Sequence, residues 1–323
     1  MSSNHSLRRR CGKRRKARRS TLQVHTDGSC ADNAKISAAL GRPNQQVWQA
    51  ALHAVDSTMV IGVAKPADPT DKPYRILANP EQYGLRRVRI PAGGLVVWNG
   101  FTAHTNEHPR ALDASLQDCE YDVSVQSVDG LAAMLARRGV AVWPGVLSDG
   151  QQREMIAGVV ADLTRAAPEG TPTTELYPPG SIGCMIVKAY GLANTLNAQQ
   201  RRLNPTVRAI FAGLYKVAPS ELTQSADAFS WVPPEATEER PLRCAQFISW
   251  APRAAMAPRE AQRKIHAMRT GRSMCHDPLR YRPGGGPGHM SNPKEGRPGH
   301  WKTLFDEITP AQRRALGEPT ALP

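Results

Sequence analysis

The apolar pattern of this chain changes near residue 126, and this change constrains the fold more than any other feature. Residues 20–110 contain short alternating or apolar runs punctuated by Gly and Pro, which is typical of strands and turns. Beyond residue 126 the pattern is helical, and helices are predicted over residues 127–138, 149–167 and 204–217. A β-rich segment followed by a helical one predicts the α+β fold class.

Turn and cap residues mark the individual elements. Residues 87–98 predict two strands joined by a glycine turn, whereas residues 46–55 fit either a buried strand or a short helix. Ser148 and Gln151 have the spacing of a capping box, and Asn204 followed by Pro is typical of a helix start.

The net positive charge is concentrated near the beginning of the chain. Residues 8–19 hold nine Lys and Arg side chains and no acidic residue, which accounts for most of the net charge of +14. Such a block has no apolar face to offset its chain entropy, so residues 1–20 are predicted to be a disordered basic tail. Residues 8–19 could bind nucleic acid or an import receptor, or they could be solvated without a specific partner.

Several classes of protein are disfavoured by the rest of the sequence. No window approaches about 18 consecutive apolar residues, and the start lacks the apolar run of a secretory signal. We therefore expect no membrane span and an intracellular location, either cytoplasmic or nuclear. The six cysteines include no CxxC pair, which disfavours a zinc ribbon and a disulfide-stapled scaffold.

A histidine and an aspartate in the β-rich segment have the spacing of metal ligands. His25 and Asp27 would leave the same face of a strand, and His104, which follows the apolar run 95–98, offers a third ligand. Two histidines and one carboxylate are the donor set of non-haem iron(II) enzymes. The alternative is a local turn in which Asp27 caps residues 28–29.

These motifs resemble those of the phytanoyl-CoA dioxygenase-like family, whose members are Fe(II)- and 2-oxoglutarate-dependent oxygenases. The His25-Thr26-Asp27 tripeptide resembles the HxD motif of the family, and residues 92–98 with His104 resemble the strand that delivers its distal iron histidine. Residues 139–148 are similar to its opening strand and helix, and residues 243–253 are similar to its closing core strand.

The resemblance implies a double-stranded β-helix core, of the jelly-roll or cupin-like kind, with helices packed on one side. It implies a single oxygenase-like domain over residues 21–280, followed by a Pro/Gly-rich tail with a short terminal helix over residues 281–323. The domain would consist of a metal-binding β core (21–110), a helical preface (127–232) and the closing strand (243–253). In the family the preface comes first, so the segments of this chain are circularly permuted or rearranged.

The resemblance also implies a reaction and a set of ligands. His25, Asp27 and His104 would hold Fe(II), and 2-oxoglutarate would be the co-substrate in the hydroxylation of an unidentified small molecule. The far carboxylate of 2-oxoglutarate would pair with Arg243 or, as the second choice, with Arg110. Gln49 resembles a family position that lines this pocket, although a hydrogen-bonding residue on a strand face is an equal alternative.

Two other functions fit parts of the sequence. Residues 26–30 look like the first-strand motif of ribonuclease H, but that fold needs further carboxylates for two magnesium ions. No Glu lies between Asp27 and Glu81. The third hypothesis is a catalytically inactive oxygenase fold that acts as a basic nucleic-acid or protein binding module through residues 8–19.

Overall fold

The computed structural model describes most of the region beyond the basic tail. The described residues are 24–62, 75–105, 122–176, 186–187, 190–233, 242–270, 277–281, 301–302, 304 and 307–318. The predicted disordered tail over residues 1–20, the predicted ligand Arg110 and most of the Pro/Gly-rich tail lie outside them. The described residues form seven α-helices and two antiparallel sheets, so the fold is α+β as predicted.

The five-stranded sheet is built from residues of the N-terminal β-rich segment. Its strands, numbered in chain order, are β1 (His25–Thr26), β3 (Ser57–Ile61), β4 (Arg75–Ile76), β5 (Arg86–Ile90) and β7 (His104–Thr105). They lie side by side in the order β4-β1-β7-β3-β5. Three of these strands have only two residues, so the sheet is narrow along the strand direction.

The seven-stranded sheet combines residues from both halves of the chain. Its strands are β2 (Trp48–His53), β6 (Leu95–Asn99), β8 (Val140–Trp143), β9 (Ile186–Val187), β10 (Leu222–Gln224), β11 (Phe229–Val232) and β12 (Arg243–Pro252). The order is β8-β6-β2-β12-β11-β9, and β10 pairs with β12 beyond β11. The ambiguous residues 46–55 therefore contain a strand, which β6 and β12 flank.

The helices are α1 (Cys30–Leu40), α2 (Val128–Arg138), α3 (Asp149–Ala166), α4 (Leu196–Arg202), α5 (Pro205–Tyr215), α6 (Pro258–Arg269) and α7 (Pro310–Ala315). The predicted capping box is present, since Ser148 accepts from the backbone N–H of Gln151 and the Gln151 side chain accepts from the backbone N–H of Ser148. Helix α1 lies in the segment predicted to hold only strands and turns. It escaped prediction because it buries only Asp32 and Ile36 and so lacks an apolar stripe.

The largest apolar cluster lies between the helices and the outer face of the seven-stranded sheet. Leu52, Val97 and Ile248 enter it from three neighbouring strands, and Leu163 and Phe211 enter it from α3 and α5. Because strand side chains alternate between faces, the intervening residues of these strands point to the other side. The helices therefore cover one face of this sheet and leave its inner face to the five-stranded sheet.

A second apolar cluster fills the space between the two sheets. Met59, Ile61, Val88 and Ile90 enter it from the five-stranded sheet, and Ala51, Val96, Trp98, Val140 and Val142 enter it from the seven-stranded sheet. Residues of either sheet that share this face line the interior of the molecule. No helix among the described residues is both long and apolar enough to cross a lipid bilayer.

Candidate metal centre

Two histidines meet on neighbouring strands of the five-stranded sheet. His25 on β1 lies directly opposite His104 on β7, and their ring centroids are 4.3 Å apart. His104 also lies opposite Ile61, whose side chain is buried between the sheets. Directly opposed residues share a face of the sheet, so both imidazoles face the interior. The ring of Trp98, from the opposite sheet, is 5.1 Å from that of His104.

Asp27 completes the group one residue after β1 ends. Its Oδ2 atom is 3.2 Å from Nε2 of His104 and 3.6 Å from Nε2 of His25. The three side chains are largely sheltered from solvent, with exposed fractions of 18% for His25, 8% for Asp27 and 3% for His104. We call these three residues the His–Asp–His cluster. The structure thus brings together all three metal ligands that the sequence predicted.

Two glycines allow the backbone after Asp27 to approach the loop that leads to His104. A Cβ atom on Gly28 would lie 2.6 Å from Cδ1 of Phe101 and 2.8 Å from the carbonyl carbon of Gly100, and a Cβ on Gly100 would lie 3.0 Å from Cα of Gly28. Only residues without side chains permit this approach of the two backbones. The backbone N–H of Asp27 donates to the Gly100 carbonyl at 2.8 Å, which fixes the aspartate beside the loop that leads to His104.

A hydrogen bond at Nδ1, the ring nitrogen that does not face Asp27, also orients His104. Its Nδ1 atom lies 2.8 Å from the carbonyl oxygen of Thr102, and a carbonyl can only accept, so Nδ1 carries the proton. The lone pair of the neutral ring is then on Nε2, which faces Asp27. The Thr102 hydroxyl donates to the Gly139 carbonyl at 2.8 Å, which ties this loop to the segment that precedes β8. A backbone carbonyl that holds the second nitrogen is the usual support of a metal-binding histidine.

The spacing of the ligand atoms fits a metal ion. Among the residues that the structure describes, His25, Asp27 and His104 form the one group of His, Cys, Asp or Glu side chains able to hold a metal, with ligand atoms within 4.8 Å of one another. Ligands about 2.1 Å from a metal and at right angles to each other lie about 3.0 Å apart. The separations from Asp27, 3.2 and 3.6 Å, are close to this arrangement.

Gln49 lies on the inner face of the seven-stranded sheet, near the cluster. It is opposite Trp98 on β6 and Ser249 on β12, and it is buried. Its Nε2 atom has no hydrogen-bond partner among the described residues. Gln49 is thus paired with Trp98, and the Trp98 ring contacts His104, one of the candidate metal ligands.

Arg243 is the first residue of β12, and it shares the inner face with Ala245 and Phe247. It is 7% exposed, and burial lowers the pKa of its guanidinium. Gln49 pairs with Ser249 of β12, and Arg243 comes six residues before Ser249 on that strand. Arg243 and Gln49 therefore lie on the same inner face, at different levels along the strands.

Two further polar residues on this face were not predicted from the sequence. Ser230 on β11 and His53 on β2 lie on either side of Ala245 in one row across the sheet. Both are buried, and neither the Ser230 hydroxyl nor either ring nitrogen of His53 has a hydrogen-bond partner among the described residues. Burial and, secondarily, the charge of Arg243 lower the pKa of His53 to about 3, so its ring is neutral near pH 7.

We call Arg243, His53 and Ser230 the inner polar cluster. Alternation along β2 puts His53 on the same face as Gln49, and that signal was present in the sequence. The proximity of His53 to Ser230 and Arg243 depends on the pairing of three strands, which the sequence does not specify. A cation beside uncommitted N–H and O–H groups in a buried site is suited to bind a carboxylate.

Comparison with known proteins adds no relative, because no protein-family model, curated protein or solved structure matches this chain. The function therefore has to be inferred from the residues themselves. They comprise a group that could hold a metal ion on one wall of the interior and a buried polar cluster on the other.

Proposed function

We propose that the protein is an Fe(II)- and 2-oxoglutarate-dependent dioxygenase that hydroxylates a small-molecule substrate. The observation that carries this proposal is the convergence of His25, Asp27 and His104 at the inner face of the five-stranded sheet. Two neutral nitrogens and one carboxylate oxygen hold Fe(II) on one side of an octahedron and leave the other positions open. When bound there, iron supplies oxygen activation coupled to the decarboxylation of 2-oxoglutarate to succinate.

The other residues of this chain would orient the ligands and the co-substrate. Thr102 keeps the proton of His104 on Nδ1, so that Nε2 is available as a ligand. Asp27 contributes the only negative charge of the His–Asp–His cluster, and Gly100 holds its backbone. The apolar residues between the sheets, including Met59 and Val88, exclude water from the interior and so strengthen the electrostatic interactions within it.

The inner polar cluster supports the choice of co-substrate. A dicarboxylate whose one end chelates the metal can direct its far carboxylate toward Arg243, with His53 and Ser230 as additional hydrogen-bond donors. Binding would give a partner to His53 and Ser230, whose buried polar atoms have none among the described residues, at a cost of about 1–3 kcal/mol for each unpaired group. Arg110, which lies outside the described residues, stays the second predicted partner of that carboxylate.

The order of the strands supports a double-stranded β-helix core. Along the chain β1, β3, β4, β5 and β7 belong to the five-stranded sheet, whereas β2 and β6, which lie between them in sequence, belong to the seven-stranded sheet. Strands that pass back and forth between two facing antiparallel sheets are typical of jelly rolls. We include this core, with helices on one outer face, in the proposal.

The rearranged order of segments is compatible with such a core. The central strand β12 comes from the C-terminal part of the chain, and its neighbour β2 comes from the N-terminal part, with six residue pairs between them. On the other side of β12, β11 comes after the helices and the short strand β10. The N-terminal segment therefore contributes two strands, β2 and β6, to a sheet whose other five strands come from the later segments.

The alternative functions receive less support. The His–Asp–His cluster holds one carboxylate beside two histidines, whereas a ribonuclease H-like site needs several carboxylates for magnesium. A binding role of residues 8–19 stays a prediction, since these residues lie outside the described part of the chain.

The proposal is tested with purified protein by anaerobic Fe(II) titration and by measuring succinate formed from 2-oxoglutarate in air. We expect wild-type protein to bind one Fe(II) per chain and to form succinate, and Asp27→Ala to lose both. Asp129→Ala, which removes an exposed carboxylate from the first turn of α2, should retain both. Iron binding by wild type no better than by Asp27→Ala would refute the metal centre, and iron binding without succinate formation would favour the inactive binding module.

A further inference from the structure

An arginine lies in the same transverse row of the five-stranded sheet as the two histidines. Arg86 on β5 pairs with Ile61 on β3, Ile61 pairs with His104 on β7, and His104 pairs with His25 on β1. Neighbouring strands are about 4.8 Å apart, so the Cα atoms of Arg86 and His104 are separated by about 10 Å. Directly opposed residues share a face, so Arg86 belongs to the same inner face as the metal ligands.

The pattern along β5 leads to the same orientation. Arg86 alternates with Val88 and Ile90, both of which are buried between the sheets. Arg87 and Arg89 occupy the opposite face of the strand, and the side chain of Arg89 is 66% exposed. Arg86 is half-buried, and its guanidinium makes no hydrogen bond or ion pair with any other residue that the structure describes.

A cation on an apolar inner wall needs either water or an anion at its head group. Among the described strands β5 lies at the edge of the sheet, Arg86 is partly exposed there, and its row leads to the metal ligands. The inner polar cluster, which the proposed function assigns to 2-oxoglutarate, is on the opposite sheet. Arg86 is therefore a second anion-binding group on a different wall of the same interior.

We propose that Arg86 binds a carboxylate or phosphate group of the primary substrate, so that the enzyme acts on an anionic small molecule whose reactive carbon lies between Arg86 and the metal. This inference rests on the proposed function and extends it to the class of substrate. A planar guanidinium binds both anions through two parallel hydrogen bonds. The row geometry then fixes the direction in which the substrate lies across the five-stranded sheet.

The test uses full-length protein with Ni(II) and N-oxalylglycine in the metal and co-substrate positions, and both are titrated first. Hexanoate, hexyl phosphate and the neutral control hexanol are then titrated by calorimetry. We expect one of the two anions to bind wild type about tenfold or more tightly than hexanol. Arg86→Gln should lose this preference, Arg86→Lys should keep part of it, and Arg89→Gln should leave it unchanged.

The outcomes separate this inference from the proposed function. If Arg86→Gln retains the wild-type preference for the anion, or if wild type shows none, the role of Arg86 is wrong while Ni(II) and N-oxalylglycine binding still support the oxygenase. If Arg86→Gln instead loses N-oxalylglycine, Arg86 holds the co-substrate, and our assignment to the primary substrate is overturned. If wild type binds no Ni(II), the proposed function fails, and the same three titrations on metal-free protein decide whether Arg86 selects anions.

Discussion

The two sheets differ in their apolar support and in the candidate site residues that they carry. The seven-stranded sheet has a ten-residue central strand, and the main apolar cluster and the helices cover its outer face. The five-stranded sheet carries the His–Asp–His cluster on strands of two residues, and its outer face has a cluster of only five buried apolar residues. A site can thus be held on very short strands when neighbouring strands and a glycine contact fix their register. Fold stability and metal binding should then respond to different substitutions.

The largest expected difference between the sheets is in their apolar support. Leu52→Ala removes a side chain from the main cluster and should lower the free energy of unfolding by about 2–5 kcal/mol. Leu77→Ala, in the small outer cluster of the five-stranded sheet, should cost less, because fewer neighbours surround the cavity. Urea denaturation measures both changes.

The same pair of variants should separate metal binding from stability. The backbone N–H of Leu77 donates to the carbonyl of Val24, next to His25, so loosening Leu77 disturbs β1. We expect Leu77→Ala to weaken Ni(II) binding more than Leu52→Ala under conditions where both are folded. Equal effects on metal affinity would show that the two sheets respond as one unit.

A second contrast concerns the inner face of the seven-stranded sheet, where His53 is buried with no hydrogen-bond partner among the described residues. The pKa of His53 is about 3 in the folded protein and 6.5 in its ordinary state, so between these values the unfolded chain binds the proton and the folded chain does not. The free energy of unfolding should therefore fall as the pH is lowered from about 6.5 to 3, by up to roughly 5 kcal/mol from this residue.

His53→Leu should remove that loss, and the difference from wild type is measured by urea denaturation at a series of pH values. The same variant should weaken N-oxalylglycine binding, because one donor of the inner polar cluster is gone. His266→Gln, which removes an exposed histidine from α6, is the matched control for loss of a histidine. An unchanged pH dependence in His53→Leu would contradict the burial of a neutral ring at this position.

The candidate metal ligands could be predicted from the sequence, but the relations between the site residues could not. His25, Asp27 and His104 could be predicted because donor type and spacing are local properties of the chain. The direct pairing of His25 with His104 is a register between strands far apart in sequence, and no local pattern encodes it. Arg86 and Ser230 could not be predicted as site residues for the same reason, because their positions in the site depend on the residues that pair with them on neighbouring strands.

The secondary structure likewise could be predicted where it depends on local sequence, but not where it depends on the pairing of distant strands. The caps of α3 and α5 could be predicted because a Ser or Asn side chain accepts a hydrogen bond from backbone N–H groups only two or three residues later. The strand or helix ambiguity over residues 46–55 was resolved only by β6 and β12 on either side of β2. Helix α1 contradicts the prediction of strands and turns for this segment. It could not be predicted because it has no apolar stripe and is held in place by contacts of Asp32 and Ile36.

A third prediction concerns the contact between Gly28 and Gly100. Gly28→Ala forces the Asp27 loop away from the loop before His104, since the added Cβ would lie 2.8 Å from a backbone carbon. We expect about tenfold or greater loss of Ni(II) affinity with a cost of only about 1–2 kcal/mol in unfolding. Gly150→Ala on α3 is the control, because the nearest atom to its Cβ is 3.8 Å away. A Gly28→Ala variant with wild-type affinity would show that the loops can separate without moving the ligands.

The smallest expected effect belongs to Thr102, which links the loop before His104 to the segment that precedes β8. Its hydroxyl bonds to Gly139 ahead of β8, and its carbonyl orients His104, so it transmits the position of the larger sheet to a metal ligand. Thr102→Val should lower the free energy of unfolding by about 1 kcal/mol and Ni(II) affinity by up to about tenfold. Thr270→Val removes a comparable hydroxyl-to-carbonyl bond at the exposed end of α6 and should leave metal affinity unchanged. If the two variants bind Ni(II) equally, the pairing of β1 with β7 and the glycine contact suffice to set the ligand geometry, and the seven-stranded sheet supports the site without orienting it.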